Sequence, residues 1–278
     1  MVGRDRCPQV TVVVVDDSTF STRTVNLVRT GPRGGTPLVL LHSAGLDLTY
    51  WDRQIAALAP DRDVVAVDLP GHGRTTGGPG DWQLDRAVGF VRRVLASLEA
   101  DRVHLVGLSL GGMLAQATAV ADPGITASLT LIDTAASFSD AGRAAMRARA
   151  AQARTEGMAA VLEGLFGHWF TADTRARRPD LVERATRTLL AQDPQVHAAM
   201  WEMIAGFELA ADLPRIGCPT MVVVGEHDSS SPVSVARQLR DTIPDARLRV
   251  VPAAAHLAPL EKPDTVTRHL VGFLDQVA

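Results

Sequence analysis

Cysteine is scarce in this chain of 278 residues, which contains only Cys7 and Cys218. Two cysteines are too few for a disulfide framework, so we expect a reducing, cytoplasmic setting. The excess of one sign of charge over the other is also small, since the net charge is −3. We therefore expect no nucleic-acid partner. The apolar run at residues 10–15 is too short and too β-branched for a signal peptide or a membrane span, so no membrane association is predicted.

Sequence motifs for metals and nucleotides are missing as well. The sequence has no tight cluster of zinc ligands, no G-x-x-x-x-G-K-[ST] loop and no G-x-G-x-x-G turn after a strand. We therefore expect no metal and no other cofactor. What is present is the composition of a globular protein with a full core, 46% hydrophobic and 21% charged. The length suits one large α/β domain with an insert.

Short apolar runs alternate with helical patterns along most of the chain. Strands are predicted at residues 10–15, 23–29, 37–42, 63–68, 103–106, 127–133, 219–225 and 247–251, and helices at residues 50–59, 82–99, 232–242 and 263–277. The first two strands form an antiparallel pair in this interpretation, joined at residues 16–18. Continuous Val/Leu strands with helices between them predict the α/β class, with a mostly parallel sheet covered on both faces.

One segment, residues 138–212, breaks this alternation because it contains no strand-like run. Its helical patterns cover residues 143–160, 161–170, 178–192 and 195–204. We predict a core domain formed by residues 1–137 and 213–278, with residues 138–212 as a helical cap over the C-terminal ends of the strands, where open α/β sheets bind ligands. The alternative is a set of peripheral helices that only pack on the sheet.

Residues 107–111 read GLSLG and fit the pattern G-x-S-x-G. They follow an apolar run directly and precede a helix-like run, which predicts a strand, a sharp turn and a helix. Such a turn lifts the hydroxyl of Ser109 above the edge of a parallel sheet, where a base can reach it. The glycines permit strained backbone angles and close packing there. Ser109 is thus a candidate nucleophile, and the alternative is a glycine-rich turn with an ordinary polar serine.

A base for this serine is expected later in the chain, in the order serine, acid, histidine. His256 follows the last predicted strand in a loop of small residues, at the same sheet edge as Ser109. It would remove the serine proton and later protonate the leaving group. His227 and His42 are the alternatives, but His227 adjoins the candidate acid and His42 lies early in the chain.

The acid that orients the histidine has three candidates. Asp228 follows the strand at residues 219–225 and would hold the His256 ring and stabilise its charged form. Glu226 lies two residues earlier, and Asp133 also ends a strand. Asp228 is favoured, and for the two competitors a turn cap or a solvated charge is the simpler interpretation.

An oxyanion hole requires two backbone donors near the serine. The amide of Leu110 begins the helix after Ser109, so it and the helix dipole face any negative charge that forms there. Residues 42–45, HSAG, follow a predicted strand and are small enough for close approach to a substrate carbonyl. We expect the amide of Ala44 to be the second donor, whereas the alternative is a plain turn between strand and helix.

Taken together, the motifs resemble those of the α/β-hydrolase superfamily over nearly the whole chain. The matching segments are HSAG at 42–45, DLPGHG at 68–73, GLSLGG at 107–112, GEHD at 225–228 and AH at 255–256. The segment at 68–73 matches a structural turn of the family. The family's usual His-Gly in the oxyanion loop is His42-Ser43 here.

Within the superfamily, the chain is most similar to the branch of 3-oxoadipate enol-lactonases and carboxylesterases. The similarity rests on HSAGLD at 42–47 with Trp51 beyond it, IDTAA at 132–136 and GHWFT at 167–171. Related esterases, acyl-homoserine-lactone hydrolases and C–C bond hydrolases share parts of this pattern. A serine nucleophile argues against the haloalkane dehalogenases and epoxide hydrolases of this fold, which use an aspartate.

The resemblance implies hydrolysis of a small-molecule ester or lactone through an acyl-enzyme, without a cofactor. A C–C bond hydrolase, a cofactor-free perhydrolase and a non-catalytic ligand receptor remain alternatives on the same fold. We expect the substrate pocket to be lined by Trp51, Met113, Phe138, Trp169 and Phe170. For each of these side chains, ordinary core packing is the alternative.

Overall fold

Eight strands form one sheet in the computed structural model, which describes residues 24–277 and, by backbone alone, residues 9–14. They are β1 (Gln9–Val14), β2 (Thr24–Thr30), β3 (Leu38–Leu41), β4 (Val64–Val67), β5 (Val103–Leu108), β6 (Thr126–Ile132), β7 (Thr220–Gly225) and β8 (Ala246–Val251). The predicted turn at residues 16–18, together with Val15 and Arg23, lies outside the described residues.

The strand order is β1-β2-β4-β3-β5-β6-β7-β8. β2 is antiparallel to both β1 and β4, and every other pairing is parallel. β3, β4, β5 and β7 are buried along their whole length, as their mainly apolar sequences indicate. β8 is an edge strand, and its Arg247 and Arg249 side chains are exposed. The predicted fold class is confirmed.

Helices cover both faces of the sheet. Their bounds are α1 (Asp52–Leu58), α2 (Leu84–Ala96), α3 (Leu110–Ala121), α4 (Asp140–Glu156), α5 (Met158–Trp169), α6 (Ala172–Arg177), α7 (Pro179–Leu190), α8 (Pro194–Gly206), α9 (Val233–Thr242), α10 (Ala258–Glu261) and α11 (Pro263–Val277). Apolar side chains of α2, α3 and α9 belong to one core cluster, and those of α1 and α11 belong to the other. Alternate residues of β3 point into the two clusters, as the two-residue period of a strand demands.

Five helices, α4 to α8, occupy the segment between β6 and β7 where no strand is predicted. We call residues 138–212 the helical insert. The predicted boundary between its first two helices, at residue 160, is wrong. The break falls at Gly157, whose φ of 81° lies in the left-handed region that glycine adopts without strain. The short helix α6 is not predicted from the sequence, and it begins where the Thr171 hydroxyl accepts a hydrogen bond from the Thr174 amide.

Within residues 24–277, none of the helices combines the length and the apolar character that a membrane crossing requires.

Candidate active site

Ser109 lies at the sharp turn between β5 and α3. Its φ of 52° and ψ of −110° are strained for a residue with a side chain, and its amide donates to the carbonyl of Ile132 at 2.8 Å. The turn is so tight that a Cβ atom on Gly107 would lie 2.2 Å from the carbonyl oxygen of Gly111. On Gly111, a Cβ would lie 2.3 Å from the carbonyl oxygen of Leu41. Both positions therefore require glycine.

His256 and Asp228 come to Ser109 from the ends of two other strands. His256 Nε2 lies 2.8 Å from Ser109 Oγ, and His256 Nδ1 lies 2.9 Å from Asp228 Oδ2. Asp228 Oδ1 accepts hydrogen bonds from the amides of Ser230 and Ser231, at 2.8 and 3.0 Å. The structure thus joins the three predicted residues in one hydrogen-bonded line.

The ionisation state of Asp228 determines which atoms donate and which accept in this line of hydrogen bonds. Burial opposes ionisation of its carboxyl, but His256 and the two backbone amides outweigh burial and hold the pKa of Asp228 below its ordinary value. An ionised Asp228 only accepts hydrogen bonds, so Nδ1 of His256 is the donor. In the neutral imidazole, Nε2 is then free to accept the proton of the Ser109 hydroxyl.

The competing acids have other partners. Asp133 is fully buried, and its two carboxylate oxygens accept from the amides of Gly225 and Ala258 at 2.8 and 3.1 Å. Burial, and secondarily the charge of Asp228, raises the pKa of Asp133 well above its ordinary value. Glu226 accepts from the amide of Ala253 at 3.0 Å. Neither is hydrogen bonded to His256, so Asp133 and Glu226 serve as anchors for backbone.

The competing histidines are also accounted for. His42 is fully buried, accepts from the amide of Leu69 at 2.9 Å through Nε2, and approaches the carbonyl of Ser43 at 2.8 Å through Nδ1. Burial lowers the pKa of His42, so its neutral ring serves as a structural link. The side chain of His227 is 60% exposed and faces Glu226.

The loop after β3 brings Ala44 to the site. The Gly45 amide lies 3.4 Å from Nε2 of His72, which ties this loop to the turn at residues 68–73. No acceptor for the amides of Ala44 and Leu110 is found among the described residues. Leu110 is the first residue of α3, so it has no carbonyl four residues earlier in the helix. Both amides are therefore available to an external acceptor.

A cavity of about 190 Å³ opens beside Ser109 and His256, between the sheet core and the helical insert. Of the predicted pocket residues, Met113, Phe138 and Trp169 line it. Further lining residues that sequence reasoning missed are Met146, Arg149, Leu165, His168, Trp201, Ile204, Ser230 and Ser231.

Trp51 and Phe170 do not line this cavity, so the expectation that they form the pocket is not met. Their side chains are 1% and 2% exposed and belong to the core cluster that also includes α1 and α11 residues. Phe170 packs with Phe166 at a ring distance of 6.3 Å. Aromatic residues near a motif suit either the core or a pocket, and packing decides between them.

The helical spacing of the sequence contains a partial signal for Arg149. Arg149 stands three residues after Met146 and four before Ala153, which is buried. Helical spacing places all three on one face of α4. Arg149 thus shares a helix face with Met146 and Ala153, and this spacing indicates a polar side chain directed towards the interior.

No group of three or more His, Cys, Asp or Glu side chains within the described part of the chain is arranged to hold a metal ion.

Comparison with known proteins identifies the family. A sequence profile described as alpha/beta hydrolase fold matches residues 36–263. The 3-oxoadipate enol-lactonase 2 of Acinetobacter baylyi is 26% identical over 86% of this chain and 88% of its own length. The enol-lactonase structure from Burkholderia xenovorans LB400 has a TM-score of 0.88 at 29% identity, covering 95% of this chain and 100% of the other. A malate-bound thermophilic esterase from Thermogutta terrifontis has a TM-score of 0.86 at 29% identity, with 97% and 99% covered. This chain belongs to the alpha/beta hydrolase fold family.

Proposed function

We propose that this protein hydrolyses a carboxylic ester or lactone of a small molecule through an acyl-enzyme on Ser109. The observation that carries the proposal is the buried hydrogen-bonded line from Ser109 Oγ through His256 to Asp228, at 2.8 and 2.9 Å, beside a cavity. A serine activated by a histidine and oriented by a carboxylate is a recurring arrangement for acyl transfer. The similarity to enol-lactonases and to an esterase favours carboxylic esters and lactones.

The first half of the reaction forms the acyl-enzyme. His256 Nε2 takes the hydroxyl proton as Ser109 Oγ bonds to the carbonyl carbon, and the carbonyl oxygen becomes an oxyanion. The amides of Ala44 and Leu110 donate to that oxyanion. The bond between the carbonyl carbon and the leaving oxygen then breaks, and the leaving oxygen takes the proton from His256. In a lactone, the leaving alcohol stays attached to the acyl chain.

The second half releases the acid. His256 removes a proton from water, and the resulting hydroxide bonds to the acyl carbon while the same amides hold the new oxyanion. The bond to Ser109 Oγ breaks, and Oγ recovers its proton from His256. Asp228 stays ionised throughout and stabilises the imidazolium in both halves.

Residues 138–212 act as a cap in this proposal, on a core formed by residues 1–137 and 213–278. The support is that α4, α5 and α8 supply lining residues to the cavity that contains Ser109 and His256. The insert is tied to the loops after β7 and β8, because His168 Nδ1 lies 2.7 Å from Ser229 Oγ and the Leu257 amide donates to the carbonyl of Trp169. The cap would exclude water and select the acyl group.

The experiment is a hydrolysis assay on short-chain p-nitrophenyl esters, a panel of lactones and a set of vinylogous 1,5-diketones. We expect turnover of esters or lactones that disappears in Ser109→Ala. Turnover of the diketones alone would indicate C–C bond hydrolysis instead. Ligand binding without turnover of any compound would indicate a receptor.

A further inference from the structure

Arg149 is the one residue with a permanent charge among the described residues that line the active-site cavity. The rest of the lining is apolar, hydroxyl-bearing or imidazole. No ion pair or hydrogen bond of Arg149 with another described residue is found. A guanidinium retains its positive charge in proteins, and one in a partly buried site is normally paired with an anion. Among the described residues, this cation in the cavity therefore has no counter-ion.

The position of Arg149 is fixed by stacking. Its guanidinium carbon lies 4.4 Å from the centre of the Trp201 ring, which also lines the cavity. The Trp201 indole donates to Nε2 of His197 at 2.8 Å, and Nδ1 of His197 lies 2.8 Å from the amide oxygen of Gln192. Stacking on an aromatic face holds a guanidinium flat and leaves its edge N–H groups free to donate.

The neutral state of His197 preserves this arrangement. Burial, and secondarily Arg149, lowers the pKa of His197 to about 3. Its Nε2 therefore remains an acceptor for the Trp201 indole at any pH at which the enzyme would be assayed. Gln192, His197 and Trp201 thus form a support that orients Arg149 without neutralising it.

We propose, on the basis of the proposed function, that the substrate carries a carboxylate in addition to its scissile ester or lactone bond, and that Arg149 binds this carboxylate. A planar guanidinium matches a carboxylate with two parallel hydrogen bonds. The cavity, at about 190 Å³, is smaller than the roughly 300–1,000 Å³ usual for drug-sized ligands, which favours a short acyl chain with the carboxylate a few bonds from the scissile carbonyl. Arg149 is a binding residue that selects the substrate.

The test compares two esters with the same leaving group, neutral p-nitrophenyl acetate and anionic mono-p-nitrophenyl succinate. We expect the native protein to prefer the anionic ester in kcat/KM. Arg149→Met should reduce that preference by about 10- to 100-fold, mainly through KM, since a charge-assisted hydrogen-bonded pair is lost. Arg149→Lys should keep part of the preference, because the charge remains.

Arg147→Met is the matched control, since Arg147 is an exposed arginine on the same helix and lies outside the cavity lining. It should keep the native preference. A preference that is unchanged in Arg149→Met, or reduced equally in both variants, would overturn the proposal.

A binding measurement separates this proposal from the proposed function. Titration of succinate into the native protein by calorimetry requires no turnover. We expect succinate to bind and Arg149→Met to weaken binding by at least about tenfold. If succinate binds in this way but no ester or lactone is hydrolysed, the proposed function fails and the carboxylate site stands. If neutral esters are hydrolysed but succinate binding does not depend on Arg149, the carboxylate site fails and the proposed function stands.

Discussion

Asp133 and Asp228 follow neighbouring parallel strands, yet their carboxylates have separate partners. One oxygen of Asp228 accepts a hydrogen bond from Nδ1 of His256, whereas each oxygen of Asp133 accepts a hydrogen bond from a backbone amide. The two side chains are close enough for the charge of Asp228 to raise the pKa of Asp133. Because the two carboxylates are close together, the same substitution at each position tests which of them orients His256.

Asp228→Asn should lower kcat by about 10⁴-fold, because an amide would favour the wrong tautomer of His256. Asp133→Asn should mainly lower stability, by about 1–3 kcal/mol, because its amide nitrogen would face a backbone N–H in a buried site. Steady-state kinetics and thermal unfolding of both variants provide the measurement. A larger kinetic loss for Asp133→Asn would reassign the acid to the end of β6.

Ser109→Ala should leave the fold intact and lower kcat by about 10⁵–10⁶-fold, as expected when a serine nucleophile is removed. An organophosphonate should label the native protein once, at Ser109, and should not label the variant. Peptide mass spectrometry identifies the labelled position. Labelling at another residue, or near-native turnover by the variant, would remove the serine mechanism.

Trp169→Ala should change KM or the preferred acyl group more than kcat, since the indole lines the cavity but is outside the hydrogen-bonded line of Ser109, His256 and Asp228. The measurement is a chain-length series of esters, run well below the melting temperature because Trp169 is 3% exposed and also supports the core.

If a substrate analogue closes the insert, limited proteolysis at residues 143–204 should slow when the analogue is present. Unchanged specificity together with equal cleavage would assign the insert a purely structural role.

Glu261 links the helical insert to the loop of His256, and its removal should impair catalysis indirectly. One carboxylate oxygen accepts from the amide and hydroxyl of Thr171, and the other accepts from the amide of Ala255. Glu261→Ala should lower kcat by about tenfold, because small displacements of a catalytic group reduce rates strongly. Glu183→Ala is the control, since within the described part of the chain the Glu183 side chain pairs with Arg187 alone, in an exposed ion pair of α7. Equal kinetics for both variants would contradict a positioning role for Glu261.

His104 should make stability depend on pH at a point remote from the candidate site. It is 5% exposed, Nδ1 lies 2.8 Å from Ser128 Oγ, and burial, followed by the charges of Arg62 and Arg102, lowers its pKa from 6.5 to about 4. The unfolded chain then binds more protons between these two pH values. The contribution of His104 is complete above pH 6.5 and is lost as the pH falls towards 4, by at most about 3 kcal/mol.

Denaturant unfolding of the native protein and His104→Gln from pH 4 to 8 measures this effect. The difference in unfolding free energy between the two proteins should shrink as the pH falls through that window. His227→Gln, at an exposed histidine, is the control. A difference that stays constant with pH would contradict the expected titration of His104.

The sequence pattern behind the candidate site is a polar residue in the turn or loop that follows each apolar strand. Ser109, Asp228 and His256 each stand after a strand, and parallel strands bring such positions to one edge of the sheet. Trp51 and Phe170 could not be assigned reliably, because an aromatic side chain near a motif suits the core as well as a pocket. Helical spacing places Arg149 on one face of α4, but its stacking on Trp201 depends on how α4 packs against α8, which no local pattern determines.

The exposed arginines of β8 have a consequence for association between copies of the protein. An edge strand presents unpaired N–H and C=O groups that another strand could extend. Two copies meeting along β8 would bring Arg247 and Arg249 of each copy close together, and like charges on adjacent strands repel. These charges therefore disfavour edge-to-edge aggregation along β8, and we expect replacement of both arginines with valine to make this edge prone to pairing with another copy.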